Sequence, residues 1–142
     1  MRSGHTLLEL LTALILVAIA AAVLLPAGRD LRDAMAVAGA REAVAGLVSE
    51  ARLLAQANGG AVVHLQAGPW RAWSEVGDSV VRVVRLEEDL KVTVELNRGR
   101  LAATLRYDGL GLGQVASQTV AFRRGAAERA LVVSGYGRVR RR

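Results

Sequence analysis

Residues 5–25 form an almost uninterrupted apolar run that carries one carboxylate, Glu9, near its start. A helix rises about 1.5 Å per residue, so the 21 residues of this run reach across the roughly 30 Å hydrocarbon layer of a bilayer once, with little to spare. A carboxylate deep in such a segment costs on the order of 3 kcal/mol, so Glu9 is expected near an interface or beside a cationic partner. Pro26 follows and removes a backbone donor, which predicts a kink but not a break. Over residues 29–58 the apolar positions Val37, Ala40, Val44, Leu47, Val48, Ala51, Leu54 and Ala55 recur every three or four residues, the stripe of an amphipathic helix. Arg29, Asp30, Arg32, Asp33, Arg41, Glu42, Glu50 and Arg52 fall on its wet side. Gly39 and Gly46 interrupt the helix at about 1 kcal/mol each relative to Ala, and point to close packing, local flexibility or tolerance. Asn58-Gly59-Gly60 supplies the stop. The element from His5 to about Ala57 would be near 80 Å long, a length that suits a membrane segment continued as a stalk.

Beyond Gly60 the period changes from three and four to two. Residues 61–66, 70–73, 80–86, 91–96, 101–107, 119–123 and 130–133 read as strands rich in Val, Thr and aromatics. Asn97-Arg98-Gly99-Arg100 is a credible hairpin connection between VTVEL and LAATLRY. The segment from Asp108 to Gly113 has three evenly spaced glycines, but neither a strand-to-helix context nor a Lys-Ser/Thr pair supports phosphate binding there. It reads as a structural turn. After the long helix there is room for one small domain, so the expected fold class is α+β, one long helix on a small antiparallel β-sheet domain.

Charge refines this picture. The net +6 is uneven: residues 1–96 hold 9 Lys/Arg and 11 Asp/Glu, a balance of 9 − 11 = −2, whereas residues 97–142 hold 10 Arg and 2 acids, a balance of 10 − 2 = +8. A basic C-terminal third points toward a polyanion, nucleic acid or acidic lipid headgroups. The chain has no Cys, which removes disulfides, thiolate nucleophiles and Cys-based metal sites. Positive charge before the span and a domain after it place that domain outside the cytoplasm.

Gly4-His5-Thr6-Leu7-Leu8-Glu9-Leu10, followed by the apolar run and Pro26, resembles the N-terminus of type IV prepilins and type II secretion pseudopilins. The resemblance implies a leader over residues 1–4, cut after Gly4 by a prepilin peptidase, and N-methylation of the new N-terminus at His5, where the family usually has Phe. It also implies that Glu9 pairs with the charged amine of a neighbouring subunit during assembly, since a paired charge in a low-dielectric layer costs much less than a lone one. Tyr107-Asp108-Gly109, Val120-Ala121-Phe122 and LVVSGYGRVR extend the resemblance to the GspH/FimT minor pseudopilins and minor pilins. The implied organisation is a type IV pilin-like fold: residues 5–58 as the long helix (5–25 transmembrane, 29–58 amphipathic) and 59–142 as a β-rich periplasmic domain with a basic tail. The implied function is a minor pilin or pseudopilin, a structural subunit of a type II secretion pseudopilus or type IV pilus tip. Its partners would be other pilins or pseudopilins, the peptidase, the inner-membrane assembly platform and, before assembly, membrane lipid.

Gly137-Arg138-Val139-Arg140 resembles the Gly-Arg-x-Arg signature associated with DNA binding in the FimT branch. In an extended segment Arg138 and Arg140 project to the same side, where their guanidinium groups can meet successive phosphates. Arg141 and Arg142 would add a flexible basic tip, and Arg123, Arg124 and Arg129 would widen the patch. Double-stranded DNA would then be bound through its backbone, with strong salt dependence. The alternative is that Arg138 belongs to the fold and the last arginines form a solvated tail. A lipid-surface protein could use the same charge, but would leave Glu9 without a partner.

The residues form no enzyme constellation, and no cofactor or metal is expected. His64 stands alone in a strand, and Glu87-Glu88-Asp89 reads as a solvated turn because consecutive side chains cannot all face one ion. Trp70 and Trp73 read as core cover, and Ser49 and Ser134 have no base that the sequence identifies.

Overall fold

A computed structural model describes residues 3–114 and 117–142, with side chains described from Thr6 onward. Met1 and Arg2 of the expected leader lie outside the described residues. The chain divides into two units, residues 1–32 and 33–142. Helix α1 spans Ser3–Asn58 and is not broken at Pro26, which lies inside it.

In the first unit the helix is apolar and exposed. Leu7, Leu8, Leu10, Leu11, Leu14, Ile15 and Leu16 all lie open, and this is the one described helix long and apolar enough to cross a membrane.

In the second unit the stripe anticipated from the sequence is the buried face. Val37, Ala40, Val44, Ala45, Leu47, Val48, Ala51 and Ala55 are almost completely excluded from solvent. They share one core with the inner faces of two four-stranded antiparallel sheets. The first sheet contains β1 (Gly60–Gln66), β2 (Arg71–Val76), β3 (Ser79–Arg85) and β5 (Ala102–Asp108), in the order β3-β2-β1-β5. The second contains β4 (Thr93–Leu96), β6 (Gln118–Arg124), β7 (Ala127–Val133) and β8 (Val139–Arg141), in the order β4-β6-β7-β8. Period-two burial is clearest in β1 and β6: Ala61, Val63 and Leu65 point inward from β1, while Val120 and Phe122 do so from β6.

The structure corrects two expectations. The strands on either side of Asn97-Arg98-Gly99 do not form a hairpin, because β4 pairs with β6 and β5 pairs with β1. The turn instead carries the chain from one sheet to the other. The C-terminal tip is also not free: β8 pairs with β7, and the ladder continues to Arg142, whose N–H and C=O both bond Ala130 at 2.9 Å. As for the helical glycines, a Cβ at Gly39 or Gly46 would meet nothing within 4 Å, so neither reflects close packing within the chain.

Polar clamps fix the helix to the sheets around this core. Asp33 pairs with Arg124 at 2.8 Å, Glu50 with Arg82 at 2.8 Å, and Glu42 with Arg141 at 2.9 Å.

Candidate functional site

Two places carry the residues singled out from the sequence. In the apolar helix, Glu9 is exposed among leucines and its carbonyl accepts a bond from Thr12 Oγ1 at 2.9 Å. Gly4 and His5 lie in the same helix.

The second place is the segment from Ser134 to Arg142. Its approach is a tight turn: Ser134 Oγ accepts from the Arg138 N–H at 3.0 Å, Ser134 N donates to Arg138 O at 2.9 Å, and Gly137 N donates to Ser134 O at 2.8 Å. Gly137 sits at φ 78°, and a Cβ there would lie 2.5 Å from Tyr107 Cε1. The glycine of the Gly-Arg-x-Arg segment is therefore required by the packing of Tyr107, independently of any ligand. The turn also abuts the glycine-rich loop, since a Cβ on Gly113 would meet Gly137 N at 2.7 Å and Gly135 O at 2.8 Å. That loop is the structural turn expected. Asp108 Oδ1 accepts from Leu110 and Leu112 N–H at 3.0 and 2.9 Å, and Arg52 Nε donates to Gly111 O at 3.0 Å.

Along β8 the side chains alternate. Val139 packs against the core, and Arg141, two residues on, donates from Nε to Glu42 Oε2 at 2.9 Å and Oε1 at 3.0 Å. Arg138 and Arg140 therefore fall on the opposite face, and neither guanidinium group has a described hydrogen bond or ion pair. Arg41, which pairs with Glu42 at 3.0 Å, also reaches the Arg142 carbonyl at 3.4 Å. The hydrogen bond from Arg141, with Arg41 adding to it, holds the Glu42 carboxyl below the usual carboxylate range. Sequence reasoning placed Glu42 only on a wet helix face. Its role in tying down the C-terminal strand depends on a contact 99 residues away in the chain.

The arginines expected to widen the patch are occupied. Arg123 is held between Glu95 at 2.9 Å and Glu128 at 3.1 Å, and Arg124 bonds Asp33 and the Leu90 carbonyl, each at 2.8 Å. Arg129 donates to Glu128 O at 2.9 Å. On the outer face of the first sheet, Trp73 stacks on His64 with centroids 4.9 Å apart and donates to Glu75 Oε1 at 2.6 Å. Trp73 is thus engaged with its own sheet, whereas Trp70 packs against the core as expected. His64 is not alone: Nε2 lies 3.2 Å from Glu75, and Nδ1 lies 3.3 Å from Thr104 Oγ1. Among the described residues no group of three or more His, Asp or Glu could hold a metal ion.

A long N-terminal helix whose second half packs on antiparallel sheets defines a type IV pilin-like fold. Crystal structures of the type IV minor pilin FimU from Pseudomonas aeruginosa (strain PAO1), in two crystal forms, share this architecture. One superposes with a TM-score of 0.58 at 14% identity, covering 75% of this chain and 87% of FimU. The other gives 0.57 at 16% identity, covering 73% and 90%. No family model matches the chain, and a comparison with curated proteins returned no match.

Proposed function

We propose that the chain is a minor pilin or pseudopilin: held in the inner membrane by residues 5–25, with its domain in the periplasm, and built into a type II secretion pseudopilus or type IV pilus tip. The observation that carries this reading is an exposed apolar helix of membrane-spanning length that bears a single carboxylate, Glu9, and belongs to a pilin-like fold. Leaving that surface in lipid and then packing it against neighbouring helices gives each apolar residue a partner in both states, while Glu9 acquires the amine of His5 from a neighbouring subunit after cleavage at Gly4. Prepilin peptidase and the inner-membrane assembly platform are the partners this mechanism requires. Mass spectrometry of sheared filaments tests it. The mature chain should begin at a methylated His5, and Glu9→Gln should deplete the subunit from filaments while leaving it in the membrane. Assembled material that retains Met1 would refute the proposal.

One observation favours a second role, in DNA uptake. Arg138, just before β8, and Arg140 within it lie opposite to Val139 and Arg141, and their guanidinium groups are uncommitted. They would contact successive phosphates of double-stranded DNA. Arg142 would join them, whereas Arg141 would first have to leave Glu42. Arg138→Ala with Arg140→Ala should abolish salt-dependent retention of duplex DNA by the full chain in detergent. Unchanged affinity would remove the proposed site.

A further inference from the structure

Where the chain passes from β4 to β5, a cleft of about 190 Å³ opens between the two sheets, lined by Asn97, Arg98, Arg100, Thr104, Ser117 and Gln118 above a floor that includes Leu105. The lining includes no carboxylate. Neither Arg98 nor Arg100 has a described hydrogen bond or ion pair, unlike Arg123 and Arg124 nearby in the second sheet. Gln118 at its edge is only 5% exposed, and its amide is held within the fold, donating from Nε2 to the Thr119 carbonyl at 3.1 Å. Arg98 itself is held at φ 61°, ψ 29°, followed by Gly99 at φ 65°. Two successive left-handed residues make a turn whose first position suits Asn or Gly, not a long side chain. Nothing within the chain bonds the Arg98 guanidinium, so no contact of that side chain offsets the strain, and strained backbone clusters at binding sites.

We propose that this cleft is an oxyanion site for a phosphate group, gripped by Arg98 and Arg100, with the Ser117 hydroxyl and the Asn97 amide completing its shell. Planar guanidinium forks match phosphate geometry, and charge-assisted bonds to them are the strong ones. The cleft is smaller than the roughly 300–1,000 Å³ pockets that enclose drug-sized ligands, which limits the occupant to a phosphate with little attached. The site is separate from the Arg138–Arg140 face and does not depend on the DNA reading.

The test is a titration of the full chain in nonionic detergent, followed by ³¹P NMR. Inorganic phosphate represents a free or terminal phosphate, and dimethyl phosphate represents a diester as in a lipid headgroup or a polynucleotide. Binding of either at millimolar or lower Kd, weakened about tenfold or more by Arg98→Gln or Arg100→Gln and unchanged by Arg106→Gln, supports the site, and the preferred probe identifies the source. Arg98→Gly adds a readout that a structural arginine would not give: the melting temperature should rise as strain is relieved, while binding weakens. Absence of binding by the parent chain to either probe, equal weakening by Arg106→Gln, or a lower melting temperature in Arg98→Gly would overturn the proposal.

Discussion

Replacing Gly137 by Ala tests how the C-terminal segment is held. The substituted residue must keep φ near 78°, which costs a residue with a side chain about 1 kcal/mol or more. Its Cβ must also sit 2.5 Å from Tyr107 Cε1 and 3.5 Å from Gly113 N. Tyr107 is only 4% exposed, so its ring cannot swing into solvent, and forcing an extra methyl against a packed ring costs about 1–3 kcal/mol. The sum is about 2–4 kcal/mol, which for a domain of this size lowers the melting temperature by roughly 10–15 °C. Circular dichroism melts of the full chain in detergent provide the assay, and a second variant separates the two contributions. In a Tyr107→Leu background the ring edge is gone, so Gly137→Ala should cost only its backbone strain, about 1 kcal/mol. A single Gly137→Ala variant that melts within about 2 °C of the parent, or a penalty unaltered by Tyr107→Leu, would refute the packing account. It would then leave the glycine of Gly-Arg-x-Arg to a ligand.

Three further outcomes follow from the same geometry. Gly39→Ala and Gly46→Ala each meet open space within the chain and should raise stability by about 1 kcal/mol, measured by chemical denaturation; loss of the variants from filaments with stability raised would place these glycines against a neighbouring subunit. Burial raises the Tyr107 phenol to about 12, and its hydroxyl has no described partner, so the folded state favours the protonated form. That contribution is complete below the unfolded value near 10 and is lost as pH rises toward 12, at most about 2–3 kcal/mol. Tyr107→Phe should remove this slope, and should be neutral or stabilising at pH 7 because it deletes an unpaired buried hydroxyl. Glu42, whose carboxyl is held low by Arg141, contributes stability above its ordinary value near 4.5 and loses it as pH falls through the depressed one. Accordingly, Glu42→Gln at neutral pH should speed hydrogen exchange of the Arg140 and Arg142 amides, the ones in β8 and just beyond it that face β7, while the β1–β2 amides keep their protection.

Local periodicity made most of this fold legible. The three-and-four spacing from Val37 to Ala55 named the buried face of the helix, and each of the seven expected strands exists, because both patterns are set by neighbours within a few residues. What escaped was pairing. Asn97-Arg98-Gly99 has the chemistry of a hairpin turn, but Leu96 belongs opposite Val120 and Ala102 opposite Gln66, and a turn sequence carries no information about which sheet receives the next strand. Strand β8 escaped for a related reason. A run of arginines has no apolar alternation, and its place in the sheet is secured by the neighbouring strand at Ala130 and by Glu42, which lies 99 residues from Arg141. Trp73, expected as core cover, instead stacks on His64 because its register opposite that residue puts both on the outer face.

Counting arginines in the last third of the chain gives a surplus of positive charge, but the structure divides that surplus by what each guanidinium already touches. Arg123, Arg124, Arg129 and Arg141 are bonded to acids or carbonyls, and an incoming anion would have to displace those partners. Arg98, Arg100, Arg106, Arg138, Arg140 and Arg142 have side chains without such described bonds, and could meet an anion without breaking a contact of the fold. They also fall in separate places: Arg98 and Arg100 at the crossover between the sheets, Arg138 and Arg140 just before β8 and within it. A polyanion attracted only by net charge would respond alike to loss of any arginine that lowers the total. If uncommitted geometry governs instead, Arg138→Ala should weaken duplex DNA binding while Arg123→Ala, an equal loss of charge, should leave it within about twofold at a fixed salt concentration. Equal losses in the two variants, measured on folded protein, would return the C-terminal third to the status of a diffuse basic surface.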